Sequence, residues 1–362
     1  MALGFLDDEG QDLALQPDDG GLKNGVFLFD RPSAQLTFSS LTSKPILSPF
    51  REFSAPIILN HETNETEILI RIAHDRDPFN RWQAAQDLMF SVLKQGTKIL
   101  RAGQSFSPSP RIANALRPIF SLTDHAFVAQ LLSLPSETDI AREIGHDIDP
   151  DAIRDARRSL KQTLGTMLHD ECHALLKKLT LSKHYVPDAD SAGRRALRLA
   201  ALDFLSSGDA ESGRSMVEKL YYEADNMTDR FGALSILAHN HHPHRDEALA
   251  DFAIKFADDP LVLDKWFSLQ ATLPEAETLD RVKSLMSHPG FSKTNPNRLR
   301  ALVGAFAMSN PSQFHRRDGD GHDFVSAIVI ETDQINPQVA ARILGAFKTW
   351  RALESNRQKT AK

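Results

Sequence analysis

The first sixty residues alternate short apolar runs with turn chemistry. Ala2 to Leu6 is followed by Asp7-Asp8-Glu9-Gly10, and Gly25 to Phe29 follows Gly20-Gly21, the arrangement of short strands joined by tight turns. Leu36 to Leu41 and Pro56 to Leu59 read as further strands. So few strands make only part of a sandwich, and the segment reads as one portion of something larger.

After Thr63 the apolar period changes from two to 3.6 and stays there, which puts a domain boundary near residue 62. Clear stripes at i, i+3, i+4, i+7 run through Leu249, Phe252, Ala253 and Phe256, through Leu299, Leu302, Val303 and Phe306, and through Val339, Ile343, Ala346, Phe347 and Trp350. Each stripe demands a neighbouring helix to cover it. Helix starts are signposted by an Asp or Asn that can cap free N–H groups, followed by a proline that has none to lose: Asp77-Pro78, Asp149-Pro150, Asp259-Pro260, Asn295-Pro296, Asn310-Pro311 and Asn336-Pro337. The expectation is a mainly α chain whose helices stack as antiparallel neighbours into a solenoid-like superhelix, without a strict sequence period.

Composition narrows the function classes. The 362 residues are 41 % hydrophobic and 25 % charged, an ordinary globular balance. The 42 basic and 48 acidic residues are interspersed, so no basic stripe points to nucleic acid or an anionic membrane. The single cysteine, Cys172, excludes an internal disulfide and a multi-thiolate metal site. With neither a signal-peptide pattern nor an apolar run of spanning length, a cytoplasmic location is expected.

Histidines supply the first candidate chemistry. His169 and His173 are four apart and would share a helix face as zinc ligands do, but Asp170 follows the first, and spacing places no third ligand. A polar helix face is expected there. His61-Glu62-Thr63-Asn64-Glu65 opens like a zincin motif but lacks the second imidazole, and reads as a capped helix start. His239, His241, His242 and His244 fall between two stripes and read as a solvated loop. Asp318-Gly319-Asp320-Gly321 lacks the remaining acids of a calcium loop and reads as a turn before the helix of Phe324. Asn226-Met227-Thr228 has the form of a glycosylation sequon, with Thr228 expected to cap the next helix.

In the last stripe, Gln338 and Arg342 lie four apart on the face opposite Val339 and Ile343, and so reach the same space. Arg300, near a helix start, opposes the helix dipole and calls for an anionic partner; an internal salt bridge is expected.

A longer series of stretches carries a resemblance. It comprises Glu52-Phe53-Ser54-Ala55-Pro56, Phe79-Asn80-Arg81-Trp82, Ala84-Ala85-Gln86, Asn226-Met227-Thr228-Asp229, Asp264-Lys265-Trp266-Phe267 with Leu269-Gln270, Asn295-Pro296-Asn297-Arg298, Ser309-Asn310-Pro311, Phe314-His315, Asp318-Gly319 and Asn336-Pro337-Gln338-Val339-Ala340. In order and spacing these resemble the aminopeptidase N metallopeptidases of the bacterial-type branch.

The resemblance implies a partial immunoglobulin-like β-sandwich domain over residues 1–62 and a C-terminal α-helical domain over 63–362. The zinc ligands of such enzymes lie in an H-E-x-x-H motif with a distant Glu, and the substrate's amino terminus is held by G-x-M-E-N. Neither motif occurs in these residues, so the chain is expected to contribute no catalytic residue and no metal ligand, zinc belonging to the full-length enzyme. Its expected partners are peptide substrates and the missing N-terminal and catalytic domains. By the same resemblance Arg300, Gln338 and Arg342 match positions that face the primed side of the substrate, where an arginine fork suits a peptide carboxylate. A stand-alone helical scaffold that binds a peptide or protein is the alternative. His322 stands where such enzymes more often have Tyr, and the histidine cluster at 239–244 is not among their features.

Overall fold

The computed structural model describes residues 1–39, 41–54, 57, 59, 61–179, 185–208 and 211–362. They form two compact units: Met1–Val92 with Ser109–Leu134 and Asp188–Ala200, and Leu93–Pro108 with Pro135–Pro187 and Ala201–Lys362.

In the first unit, β1 (Leu3–Leu6) pairs antiparallel with a late strand, Ile46–Pro49, in the register Leu3↔Pro49 to Leu6↔Ile46. Two shorter strands, Leu22–Lys23 and Val26–Phe27, form a hairpin. Its turn is Asn24-Gly25, with φ of 53° and 76°, the two left-handed residues that match the right-handed twist of paired strands. Phe5, Leu22 and Phe27 form the core beneath, with Leu36 and Phe38 packed against it. Leu36 to Ser39 nevertheless form no strand. Alternation there partly buries Leu36 and Phe38, but the segment is held by one backbone bond, from the Asp18 N–H to the Thr37 carbonyl, and by Ser39 donating to the Asp18 carboxylate, so partial burial is achieved without strand pairing. The strand expected at Pro56–Leu59 lies largely outside the described residues. Ile46–Pro49 is a strand that the expectation omits, because Pro45 and Pro49 frame it like a loop.

Helix α1 (Glu65–His74) starts within the stretch expected to open a capped helix, and the cap is Asn64, whose side chain accepts the Glu67 N–H. Helix α2 (Pro78–Arg101) follows Asp77, which accepts the Asn80 N–H. Buried Arg51 joins the sheet to these helices. It pairs with both oxygens of Asp12 at 2.6 and 3.0 Å, donates to Ser48 Oγ at 2.9 Å, and reaches Asp75 at 3.4 Å. Its guanidinium occupies the space above Gly4, where a Cβ would lie 2.0 Å from Cζ. Only glycine permits that approach.

The second unit is helical among its described residues, and consecutive helices pack on one another, Ser212–Glu223 on Met227–His239 and Asp320–Asp333 on Pro337–Leu344. Of the six Asx-Pro starts, Asp149, Asp259, Asn295 and Asn336 cap as anticipated, like Asp77. Asn310 departs: its Nδ2 donates to the carbonyls of Ala271 and Leu273 at 3.0 and 2.8 Å, and its side chain caps nothing. A fully buried amide satisfies the nearest orphan acceptors, and here those belong to another helix end. Thr228 is not the cap of its helix; Asn226 is, accepting the Asp229 N–H.

Two stripes bend away from simple α geometry. Leu299, Leu302, Val303 and Phe306 are buried, but the turn Arg300–Gly304 is a π-helix. The last stripe is α-helical only over Pro337–Leu344, then tightens to a 3₁₀ helix over Gly345–Ala352. No helix of the described residues is long and apolar enough to cross a membrane.

Candidate functional site

A cavity of about 620 Å³ opens within the second unit. Its walls are helix Glu137–Ile144, the start of Pro150–Met167, Ala307 and Met308 of the short helix Ala305–Ser309, Pro311 with His315, and the segment from Arg342 to Leu353. These segments lie up to 216 positions apart in sequence, from Glu137 to Leu353. Arg357 brings them together. Buried at 1 % exposure, it pairs with Asp149 Oδ1 at 3.0 Å and with Asp151, donates Nη1 to a third carboxylate, Glu354, at 3.2 Å, and donates Nε to the His315 carbonyl at 2.6 Å. Asp149 simultaneously caps the helix that starts at Pro150. A parallel bridge between Ile148 and Leu353 completes the join, with N–H···O distances of 2.9 Å on both sides.

The floor is apolar, from Ile148, Ile153, Ala307 and Leu353, all buried. The rim is cationic. Arg142 pairs with Asp139 at 2.9 Å, whereas Arg342 and Lys348 have no carboxylate in ion-pair contact among the described residues. Glu137 is the one acid in the lining. Burial pushes its carboxyl up, against the pull of Arg157 and Arg154. A volume of this size, apolar below and positive at the mouth, suits a small anionic ligand with hydrocarbon bulk.

Beneath the wall, His315 Nδ1 and His322 Nε2 lie 2.8 Å apart, both rings buried against Phe314, with Phe347 beside His322. Burial pushes the His315 imidazole down to about 3, helped by His322 and Arg357. One ring N–H therefore bridges two neutral imidazoles, and His322 Nδ1 is left without a partner.

Of the three residues expected to bind substrate, the structure places only Arg342 on this cavity. Gln338 is exposed one turn earlier and does not border it. Arg300 is also exposed and does not form the expected internal salt bridge. It donates Nε to the Pro296 carbonyl at 3.1 Å and Nη2 to Asn297 Oδ1. The start of its own helix carries no acidic residue in the first turn, so amide and carbonyl oxygens serve in place of a carboxylate. Lys348, Glu137 and His315 were not foreseen. Lys348 follows Arg342 by six positions, which is no helical neighbour spacing; the 3₁₀ tightening at Gly345 sets its direction.

The histidine clusters resolve differently from one another. His169 and His173 share a helix face as expected, with ring centroids 4.4 Å apart, and His173 Nε2 lies 3.3 Å from Ser212 Oγ. The 239–244 cluster is not the solvated loop expected of it. His239 ends a helix, its Nδ1 bonded to the Ser235 carbonyl at 3.0 Å, and His242 is buried. Among the described residues, Glu218, His242 and His244 form the one group close enough to hold a cation. The backbone N–H of His244, however, donates to His242 Nδ1 at 3.1 Å. That bond places the His242 proton on Nε2, the atom facing Glu218 at 3.9 Å, so this nitrogen is a donor and not a ligand. His244 Nδ1 meets Glu218 at 2.8 Å, and that contact holds its imidazole above the usual value. The arrangement is an ion-pair network in which a zinc ion does not fit without breaking the His244 turn.

Comparison with known proteins agrees with the fold. The chain is 35 % identical over 360 residues to aminopeptidase N of Escherichia coli, an alignment covering 99 % of this chain and 41 % of that protein. Aminopeptidase N of Caulobacter vibrioides is 35 % identical over 328 residues, covering 90 % and 38 %, and that of Haemophilus influenzae 32 % over 360 residues, covering 99 % and 41 %. Among solved structures, aminopeptidase A of Legionella pneumophila in complex with aspartic acid superposes with a TM-score of 0.85 at 27 % identity, over 99 % of this chain and 42 % of that one. The chain thus spans about two fifths of the length of these relatives. A family model described as a domain of unknown function (DUF3458_C) with ARM repeats matches residues 65–362. This chain therefore belongs to the DUF3458_C family of ARM-repeat domains and corresponds to the C-terminal part of aminopeptidase N.

Proposed function

We propose that the chain serves a zinc aminopeptidase as the part that covers the catalytic chamber and positions small peptides for removal of their N-terminal residue. The observation that carries this reading is the cavity of about 620 Å³ with Arg342 and Lys348, free of ion pairs among the described residues, above an apolar base. A guanidinium offers paired donors in a plane and keeps its charge at any working pH, so it suits a peptide carboxylate better than the side chain of any other residue. Arg300 and Gln338, exposed in the same unit, are proposed as further peptide contacts. Bond cleavage is assigned to the rest of the enzyme. H-E-x-x-H is absent from these residues, and zinc would be supplied with the catalytic domain, where it would polarise the scissile carbonyl. The proposed partners are peptide substrates and that domain, with no nucleic acid and no membrane among them.

Titration of the purified chain with trialanine and with trialanine amide tests the positioning role. The free carboxylate is expected to bind at least tenfold more tightly than the amide, and Arg342→Ala to abolish the difference, since a charge-assisted hydrogen bond contributes about 1.5–3 kcal/mol. Equal binding of both peptides, or a preference that survives Arg342→Ala, would remove the reading. Hydrolysis of an alanyl amide by this chain alone, suppressed by a chelator, would also contradict the division of labour.

A further inference from the structure

A second cavity, of about 520 Å³, lies wholly inside the first unit, between the end of the Ile46–Pro49 strand, α1 and α2. Its walls include Pro49, Phe50, Phe53, Ile68 and Phe79. Phe53 and Phe79 meet edge to face at 4.8 Å. The rest of the lining is mostly polar, with His61, Asn80, Gln83 and the carboxylate of Asp87, and α1 contributes Arg71, only 3 % exposed. Its Nε has no hydrogen-bond partner, and no carboxylate of the described residues is in ion-pair contact with it. Asp87, Asp75 and Glu67 act on it only through longer-range attraction, and burial outweighs them, pulling the guanidinium below its ordinary value.

The contrast with three other buried arginines is informative. Arg51, Arg298 and Arg357 are as deeply placed, and each is fully engaged by carboxylates and carbonyls. Arg81, ten residues from Arg71, bonds the carbonyls of Ile72 and Ala73. A buried charged donor is ordinarily paired, because leaving it dry and unbonded is among the most unfavourable arrangements a protein can hold. At Arg71 the missing acceptor faces an open volume, not a packed wall.

We propose that this cavity is a binding site for a small carboxylate with an apolar or aromatic body, its anion on the Arg71 guanidinium and its hydrocarbon against Phe50, Phe53 and Phe79. The fork geometry of arginine selects a planar carboxylate, and the Phe50, Phe53 and Phe79 side of the cavity favours an anion that carries hydrocarbon over a bare one. The site is independent of the Arg342 cavity and does not rest on the proposed peptidase role.

The test uses the whole chain and 3-phenylpropionate as the probe, with 3-phenylpropan-1-ol as the uncharged control, followed by calorimetry and by Trp82 fluorescence. Trp82 stacks near Phe79 at 6.0 Å and reports on that wall. The expected result is one-to-one binding of the acid, at least tenfold tighter than the alcohol. Arg71→Met should remove that preference while Arg71→Lys retains part of it. Ile68→Phe, which fills the cavity and leaves Arg71 in place, should weaken acid and alcohol alike, and keeps the test open if Arg71→Met fails to fold. Absence of saturable binding by the acid, equal affinity for acid and alcohol, or unchanged binding in Ile68→Phe would each overturn the proposal and leave Arg71 a structural cation balanced by its distant carboxylates.

Discussion

Arg357→Ala is the perturbation whose size the structure fixes best. The side chain is 1 % exposed and makes contacts to Asp149, Asp151, Glu354 and the His315 carbonyl. Breaking a buried ion pair by removing one partner costs about 3–5 kcal/mol, mostly because the survivor is left charged and dry. Here the survivors keep other partners. Asp149 still accepts the N–H groups of Asp151 and Ala152 and lies 3.4 Å from Arg317. Asp151 retains Arg154 at 3.1 Å and is partly exposed. The expected loss therefore falls at the lower end, about 3 kcal/mol, or on the order of a hundredfold in the folding equilibrium. Urea unfolding monitored by tryptophan fluorescence measures it, since Trp266 and Trp350 both lie in the second unit. Arg357→Lys should recover only part of the loss, because one ammonium cannot span acceptors arranged around a fork. A double-mutant cycle with Asp151→Asn should return a coupling above about 1 kcal/mol. A destabilisation below about 1 kcal/mol, or zero coupling, would show that the C-terminal segment does not hold the cavity walls together as argued.

Two other outcomes are expected. Gly165→Ala should destabilise the second unit by about 3 kcal/mol or more in the same unfolding assay, because an added Cβ would lie 2.1 Å from the Phe204 carbonyl oxygen and 2.8 Å from the Gly208 nitrogen, backbone atoms that cannot rotate away; a cost under about 0.5 kcal/mol would contradict so close a crossing. For His315, burial holds the folded-state value near 3 against 6.5 when unfolded, so the unfolded chain binds the proton first. The stability tied to its neutral form is complete above about pH 6.5 and is lost progressively as pH falls toward 3, up to about 4–5 kcal/mol. His315→Gln should flatten that part of a pH–stability curve measured by urea titration, and an unchanged slope between pH 6 and 4 would refute the assignment.

The legible part of the sequence was the part governed by local rules. Asp149, Asp259, Asn295 and Asn336 could be read as caps because a short acceptor before proline has few other uses at a helix start. Asn310 has the same signature and does something else, since two carbonyls at the end of helix Pro260–Ala271 come within reach of its amide. Arg342 was singled out from its helix face and from the resemblance together, and it borders the cavity. Lys348, Glu137 and His315 were not, because no spacing in the chain announces that helix Glu137–Ile144 and the 3₁₀ segment after Leu344 form one wall.

Apolar periodicity, turn residues and caps determined the class of this protein from its sequence: a short β segment followed by stacked helices. These features depend on neighbours within one or two turns, so the order of residues is enough to state them. Which arginines are spent on structure and which remain available was decided only in three dimensions. Arg51, Arg298 and Arg357 find their partners up to two hundred positions away, while Arg71 and Arg342 find none among the described carboxylates. The physical reason is that a guanidinium is satisfied by whatever oxygen lies within about 3 Å of it, and distance along the chain carries no information about that.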